Sequence, residues 1–269
     1  MTAESTETSV TLDPIPPPLL DKEGNNLKRR RMSIFHKFFR WNILVFSLVF
    51  VLPGTAVSGD LKGYQQTLWK HLEAVVAVGP RPPGSPALEK LRGYIRSVGN
   101  QYADAIREQK FTYQKPGGPA VTMVNIELVF HGKTKKAPLL LGAHYDTRPF
   151  ADEEKDSYSR KFPIVGANDG GSGTAVLLAL AQYLHTHKPE RPVRLVFFDG
   201  EDYGAKFSSH YFIGSKHYAA QLKKADRKEW PYCVLIIDMV GDKQLQIARE
   251  TYSSENASWL LKMIDESAK

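Results

Sequence analysis

The stretch Val193-Arg194-Leu195-Val196-Phe197-Phe198-Asp199-Gly200-Glu201-Asp202 decides the fold. Its first six residues are β-branched, aliphatic and aromatic with little alternation, as expected of a strand covered on both faces. The run stops abruptly and two neighbouring carboxylates follow. Adjacent acids repel, and at the end of a buried strand a bound cation is the usual compensation. Successive side chains leaving a strand point to different sides, so one can hold a metal while the other faces a substrate. Glu201 and Asp202 therefore read as a general acid/base beside a metal ligand.

Other strands end in the same chemistry. The apolar run Leu139–Ala143 ends in His144-Tyr145-Asp146, Val234–Ile237 ends in Asp238, and Asn168-Asp169-Gly170-Gly171 precedes a helical segment at Ser172–His185. Val121–Phe130 and Pro138–Ala143 read as strands joined by a turn at 131–136. Helices are expected at Leu61–Val78, from Pro86 (capped by Ser85) to about Gln109, and at Asn256–Ile264. Gly79–Pro86 must be a rigid loop. Strands alternating with helices predict an α/β three-layer sandwich with a mixed, mostly parallel central sheet.

In open α/β sheets, sites form beyond the carboxyl ends of the strands, so His144, Asp169, Glu201, Asp202 and Asp238 are expected to converge. Imidazole and carboxylates suit zinc, and a carboxylate can bridge two ions. Asp146, two residues beyond His144, lies on the same side of an extended chain. It is placed to accept the second imidazole N–H and fix its tautomer.

Length and composition set the frame. The 269 residues are 42% hydrophobic, enough for a single domain with a substantial core. The net charge of +7 is spread out, without the basic stripe that nucleic-acid binding uses. The single cysteine, Cys233, excludes an intrachain disulfide and reads as a small buried hydrophobe. Residues 1–31, rich in Ser, Thr, Pro and charge, read as a disordered leader. Residues 32–58 read as a targeting segment. The apolar run Ile43–Leu52 is short for a spanning helix but suits a signal core, and Ala56-Val57-Ser58 resembles a cleavage site. An export signal cut after Ser58 is expected, with an uncleaved membrane anchor over 43–57 as the alternative. Met32 offers a simpler start, with Ser33–Trp41 as a basic region leading into the apolar core.

The catalytic region, residues 59–269, resembles the zinc aminopeptidase and glutaminyl cyclase family. The resemblance is carried by Gly79–Pro86 (GPRPPGSP), Gly142–Phe150 (GAHYDTRPF), Val165–Gly173 (VGANDGGSG), Val196–Asp202 (VFFDGED), Ile213–His217 (IGSKH) and Ile236–Gly241 (IIDMVG). GPRPPGSP and FFDGE look more like the cyclase branch, Asp-Gly-Gly-Ser-Gly more like the peptidases. The resemblance implies one or two zinc ions and substrates that are peptide or protein N-termini. It implies Asp169 as the central metal ligand, Asp202 as a second ligand of that zinc, and Glu201 as general acid/base. His144 and Asp238 would hold a second metal in an aminopeptidase. In a cyclase they line the site, and Asp238 positions substrate. A cis peptide after Asp169 is also implied.

As a cyclase, the chain would convert an N-terminal Gln to pyroglutamate. As an exported aminopeptidase, it would hydrolyse the first peptide bond. A third reading is an inactive binding ectodomain of the same fold. Two departures from the family pattern bear on activity. Asp202 stands where the family usually has Glu. A further zinc-binding His, which the family supplies from a later segment, has no counterpart before Lys269. His185 and His187 close a helix, and His210 and His217 read as structural or exposed. Weak zinc binding and poor activity are therefore expected of these 269 residues.

Overall fold

The computed structural model describes residues 61–205 and 208–267; the leader, the targeting segment and the start at Met32 lie outside them. Among the described residues no helix is long and apolar enough to cross a membrane.

Two helices come first. Helix α1 spans Leu61–Ala77 and α2 spans Pro86–Tyr102. The Ser85 hydroxyl accepts a hydrogen bond from Leu88 N at 3.1 Å and Pro86 opens the first turn, a sound start for α2. Leu88, Leu91, Ile95 and Val98 recur at helical spacing and are buried. The helix ends seven residues earlier than the pattern suggested, because strand β1 occupies Ala105–Gln114. This strand is polar (AIREQKFTYQ) and pairs antiparallel with β2, Ala120–Phe130, from Ala105↔Val129 to Gln114↔Ala120. Its structure comes from that ten-residue ladder rather than from its own composition.

The remaining strands are β3 (Leu139–His144), β4 (Val193–Phe198) and β5 (Cys233–Ile236), and the sheet order is β1-β2-β4-β3-β5. The β1–β2 and β2–β4 joins are antiparallel; β4–β3 and β3–β5 are parallel. The parallel half brings the carboxyl ends of β3, β4 and β5 to one edge, where the acidic residues were expected. Helix α3 (Gly171–Thr186) packs with α1 and α2 over one face, against Leu141, Leu195 and Phe197. On the other face Tyr218 of α4 (Ile213–Leu222) meets Leu140, Val196 and Phe198. These are the three layers.

Two details differ from the sequence reading. The expected helix over 256–264 is two helices, α5 (Thr251–Asn256) and α6 (Ser258–Ser267), parted at Ala257. Strand β5 is an edge strand among the described residues, with Val234 49% exposed and Cys233 half-buried. An apolar run of four residues does not reveal its place in a sheet.

Candidate metal centre

Each site residue leaves a strand end or the start of α3. His144 closes β3 and is buried at 2% exposure. Its Nε2 lies 3.0 Å from Asp169 Oδ1 and 3.4 Å from Asp238 Oδ1. Donor atoms of His144, Asp169 and Asp202 lie within 4.8 Å of one another, and so do donor atoms of His144, Glu201 and Asp238. The two groups share His144, so five of the residues predicted from sequence form one cluster around a single imidazole. Among the described residues no other imidazole joins either group. His210 is bound to the Tyr113 hydroxyl, and His217 stacks on Phe111 at 4.0 Å.

Local backbone explains the convergence. Gly170, at φ +72°, reverses the chain between Asp169 and α3. A Cβ there would stand 2.6 Å from the Asp146 carbonyl oxygen and 2.9 Å from the imidazole of His144. Gly173, one turn on, lets α3 press against the end of β5: a Cβ would sit 2.2 Å from Ile237 O. The peptide after Asp169 is trans, not the cis bond that the resemblance implied; the left-handed Gly170 makes the turn without it.

Asp146 has partners beyond the one predicted. Its Oδ1 lies 3.4 Å from His144 Nδ1, but that nitrogen has no aligned hydrogen bond. Both Asp146 oxygens also accept backbone N–H groups, from Glu201 at 3.0 Å and from Asp202 at 3.1 Å. Asp146 thus ties the end of β3 to the loop after β4, and holds the acid pair against the imidazole.

The electrostatics are those of a site rich in acid. Burial pushes the Glu201 carboxyl up to about 7; His144 opposes this, and Asp238, Asp146 and Asp169 add to it. Burial and then Asp169 push Asp202 up to about 8. Asp169 lies below its ordinary range: burial would raise it, but its hydrogen bond to His144 and the charge of that imidazole prevail. Two close carboxylates cannot both ionise cheaply, so Asp202 keeps the proton. Burial disfavours a charged His144, yet Glu201, Asp146, Asp169 and Asp238 together hold the imidazole well above its usual value. Asp238 Oδ1 is buried and lacks a hydrogen-bond partner.

This donor set fits zinc. Bonds of about 2.0–2.1 Å in a tetrahedron separate neighbouring ligands by about 3.3 Å. The 3.0 Å gap between His144 Nε2 and Asp169 Oδ1 is close to that edge. The excess of carboxylate and the unpartnered Asp238 oxygen supply the charge and the lone pair that a cation needs.

Residues 125–269 match the model of peptidase family M28. The chain belongs to that family. Its sheet superposes on that of a glutaminyl cyclase from Bacteroides thetaiotaomicron, with a TM-score of 0.67 at 27% identity over 73% of this chain and 69% of that one. A Zn-dependent exopeptidase from Parabacteroides distasonis gives 0.68 at 27% identity over 73% and 68%. Aminopeptidase YwaD of Bacillus subtilis is 28% identical over 177 residues. The M28 chain covers 65% of its own length in that match, but only 33% of the Bacillus protein.

Two buried arginines of this M28 chain were not singled out in the sequence. Arg81, in the Pro-rich loop, is fully buried, and burial lowers its guanidinium to about 10. Arg92, on the inner face of α2, donates to Asp199 Oδ2 at 2.5 Å and to the Tyr145 hydroxyl at 2.9 Å. The Arg92 position lies among apolar residues at helical spacing, and that placement was the available signal.

Proposed function

We propose that the chain is a zinc-dependent enzyme acting on peptide N-termini, and that its reaction is cyclisation of N-terminal glutamine. The observation that carries this is Glu201. It is a partly buried carboxyl held near neutrality by its surroundings, with its backbone fixed by Asp146 beside the imidazole and acids that would hold the metal. A carboxyl with a pKa near 7 can both take and return a proton at neutral pH.

Asp169, Asp202 and His144 would hold zinc, which when bound supplies Lewis acidity to a carbonyl oxygen of the substrate. The chain's own groups do the rest. Asp238, with a free oxygen, accepts a hydrogen bond from the substrate's α-amine and orients it toward the side-chain amide of the same residue. Glu201 takes a proton as the amine nitrogen bonds to the amide carbon. It returns that proton to the amide nitrogen, which leaves as ammonia, and the lactam is pyroglutamate.

A second reading, aminopeptidase, is favoured by the group His144, Glu201 and Asp238, which offers donors for a second ion, and by the name of the Bacillus relative. There Glu201 would activate water against the first peptide bond. Incubation of the zinc-loaded protein with Gln-initiated and Leu-initiated peptides separates the two. Ammonia released without chain cleavage supports the cyclase. A free amino acid overturns it in favour of the peptidase, and neither product overturns both and leaves a binding ectodomain. The targeting segment supports an exported enzyme, either released after Ser58 or anchored through 43–57. N-terminal sequencing of the mature protein tests that part; a mature chain that still begins at the leader refutes cleavage.

A further inference from the structure

Arg81 is fully buried, yet among the described residues its guanidinium meets no carboxylate at bonding distance. Nε donates to Tyr145 O at 2.8 Å, one Nη to Val165 O at 2.7 Å and the other to Gly166 O at 2.8 Å. Its own backbone exchanges hydrogen bonds with Thr147: Arg81 N donates to Thr147 Oγ1 at 2.9 Å, and Thr147 N to Arg81 O at 3.3 Å. One side chain therefore joins two segments. The first, 145–147, follows His144 directly. The second, 165–166, leads to Asp169, and it is packed so closely that a Cβ on Gly166 would stand 2.7 Å from Asp169 O and 2.4 Å from the Thr147 methyl.

We propose that Arg81 is a positioning residue that sets the spacing between His144 and Asp169 and so preorganises the metal centre. A buried cation whose nearest acids, Asp146 and Asp169, act on it only through space is costly, and it stands here where three carbonyls from two site-bearing loops converge on its planar fork. Arg81 also precedes the part of the chain that matches the M28 model. The loop before α2 thus belongs to the site although it contributes no ligand. This inference rests on the zinc reading above, and its test separates the two.

The test is zinc affinity by competition with a chromophoric chelator, for the full chain and for Arg81→Lys, Thr147→Val and Ser85→Ala. Lysine keeps the charge but cannot span three carbonyls. Support outside the ligand sphere typically sets metal affinity by about 10–100-fold, and Arg81→Lys is expected to weaken zinc by that factor. Thr147→Val removes the hydroxyl that anchors the Arg81 backbone, and is expected to weaken zinc severalfold. Ser85→Ala disturbs the neighbouring helix cap alone and is expected to bind as the wild type does. Wild-type affinity in both Arg81→Lys and Thr147→Val overturns the inference while leaving the zinc reading intact. Equal weakening by Ser85→Ala also overturns it, since the effect is then general loosening. Absence of zinc binding by the wild type overturns both. If Arg81→Lys does not fold, Thr147→Val against Ser85→Ala decides.

Discussion

Asp199 and Glu201 are two residues apart on one loop, yet they lie in opposite environments. Around Asp199 one carboxylate meets one guanidinium, although burial and then Asp146 still raise its carboxyl to about 6. Arg92 pairs with it, Val124 N donates to it at 2.8 Å, and the Tyr145 hydroxyl lies 3.2 Å away. Around Glu201 four acids surround one imidazole, and among the described residues the guanidiniums near it, Arg81 and Arg148, are hydrogen-bonded to carbonyls, to Asp152 and to Tyr211. Both clusters contain carboxylates, fully buried around Asp199 and partly exposed around Glu201. One has its cation in the chain and serves to fix the loop. The other has too little positive charge, and its protons stand where a metal would go.

The comparison can be broken by exchanging acid for amide on each side. Glu201→Gln is expected to cut kcat/KM about a thousandfold, within the usual range for a lost general acid/base. The same variant should melt no lower than the wild type when metal-free, because a repelled carboxyl is gone. A fall in melting temperature would place Glu201 among the structural groups. Asp199→Asn should do the reverse. Leaving Arg92 buried with only the half-exposed Glu89 as its acid is expected to cost about 3 kcal/mol of folding stability, read from denaturant unfolding. A neutral result would mean that Asp199 is not what balances Arg92.

The acid of the cluster also sets a pH dependence. Glu201 and Asp202 have folded pKa values of about 7 and about 8, above their ordinary values. The folded state then binds more protons than the unfolded one between about pH 4 and 8, so stability falls as pH rises through that window. A raised His144 works in the same direction, since the stability it contributes is present at low pH and lost as the imidazole deprotonates. Asp169, held low, acts only below that window. Melting curves in chelator should therefore decline from about pH 5.5 to about pH 8. Added zinc should flatten or invert the slope, because it binds the deprotonated donors. A chelated protein that gains stability with pH would refute the acid excess. The smallest expected effect is at Ser85→Ala: about 1 kcal/mol of stability from a lost helix cap, with neither cluster altered.

The parallel half of the sheet was legible because its strands are apolar runs that end in charge. Leu139–His144 and Val193–Glu201 announce both the strand and the site. Strand β1 was not legible, since AIREQKFTYQ has the polar content of a helix surface and becomes a strand only through its ladder with β2. Asp146 lies beside His144 as its spacing suggested, and has two further partners that the spacing did not show. The sequence spacing put it near His144, whereas the return of the chain after β4 offered it two backbone N–H groups that bind it better.

By itself the sequence determined which residues carry the chemistry: one imidazole and four carboxylates, each at the end of a predicted strand or the start of a helix, where periodicity marks the boundary. Only the tertiary structure decided that His144 lies at the centre, that Asp202 rather than Asp169 keeps the shared proton, and that Arg81 and Arg92 hold the frame. Those outcomes depend on distances between segments far apart in the chain, on burial, and on which donors reach which acceptors. Local pattern contains none of these quantities.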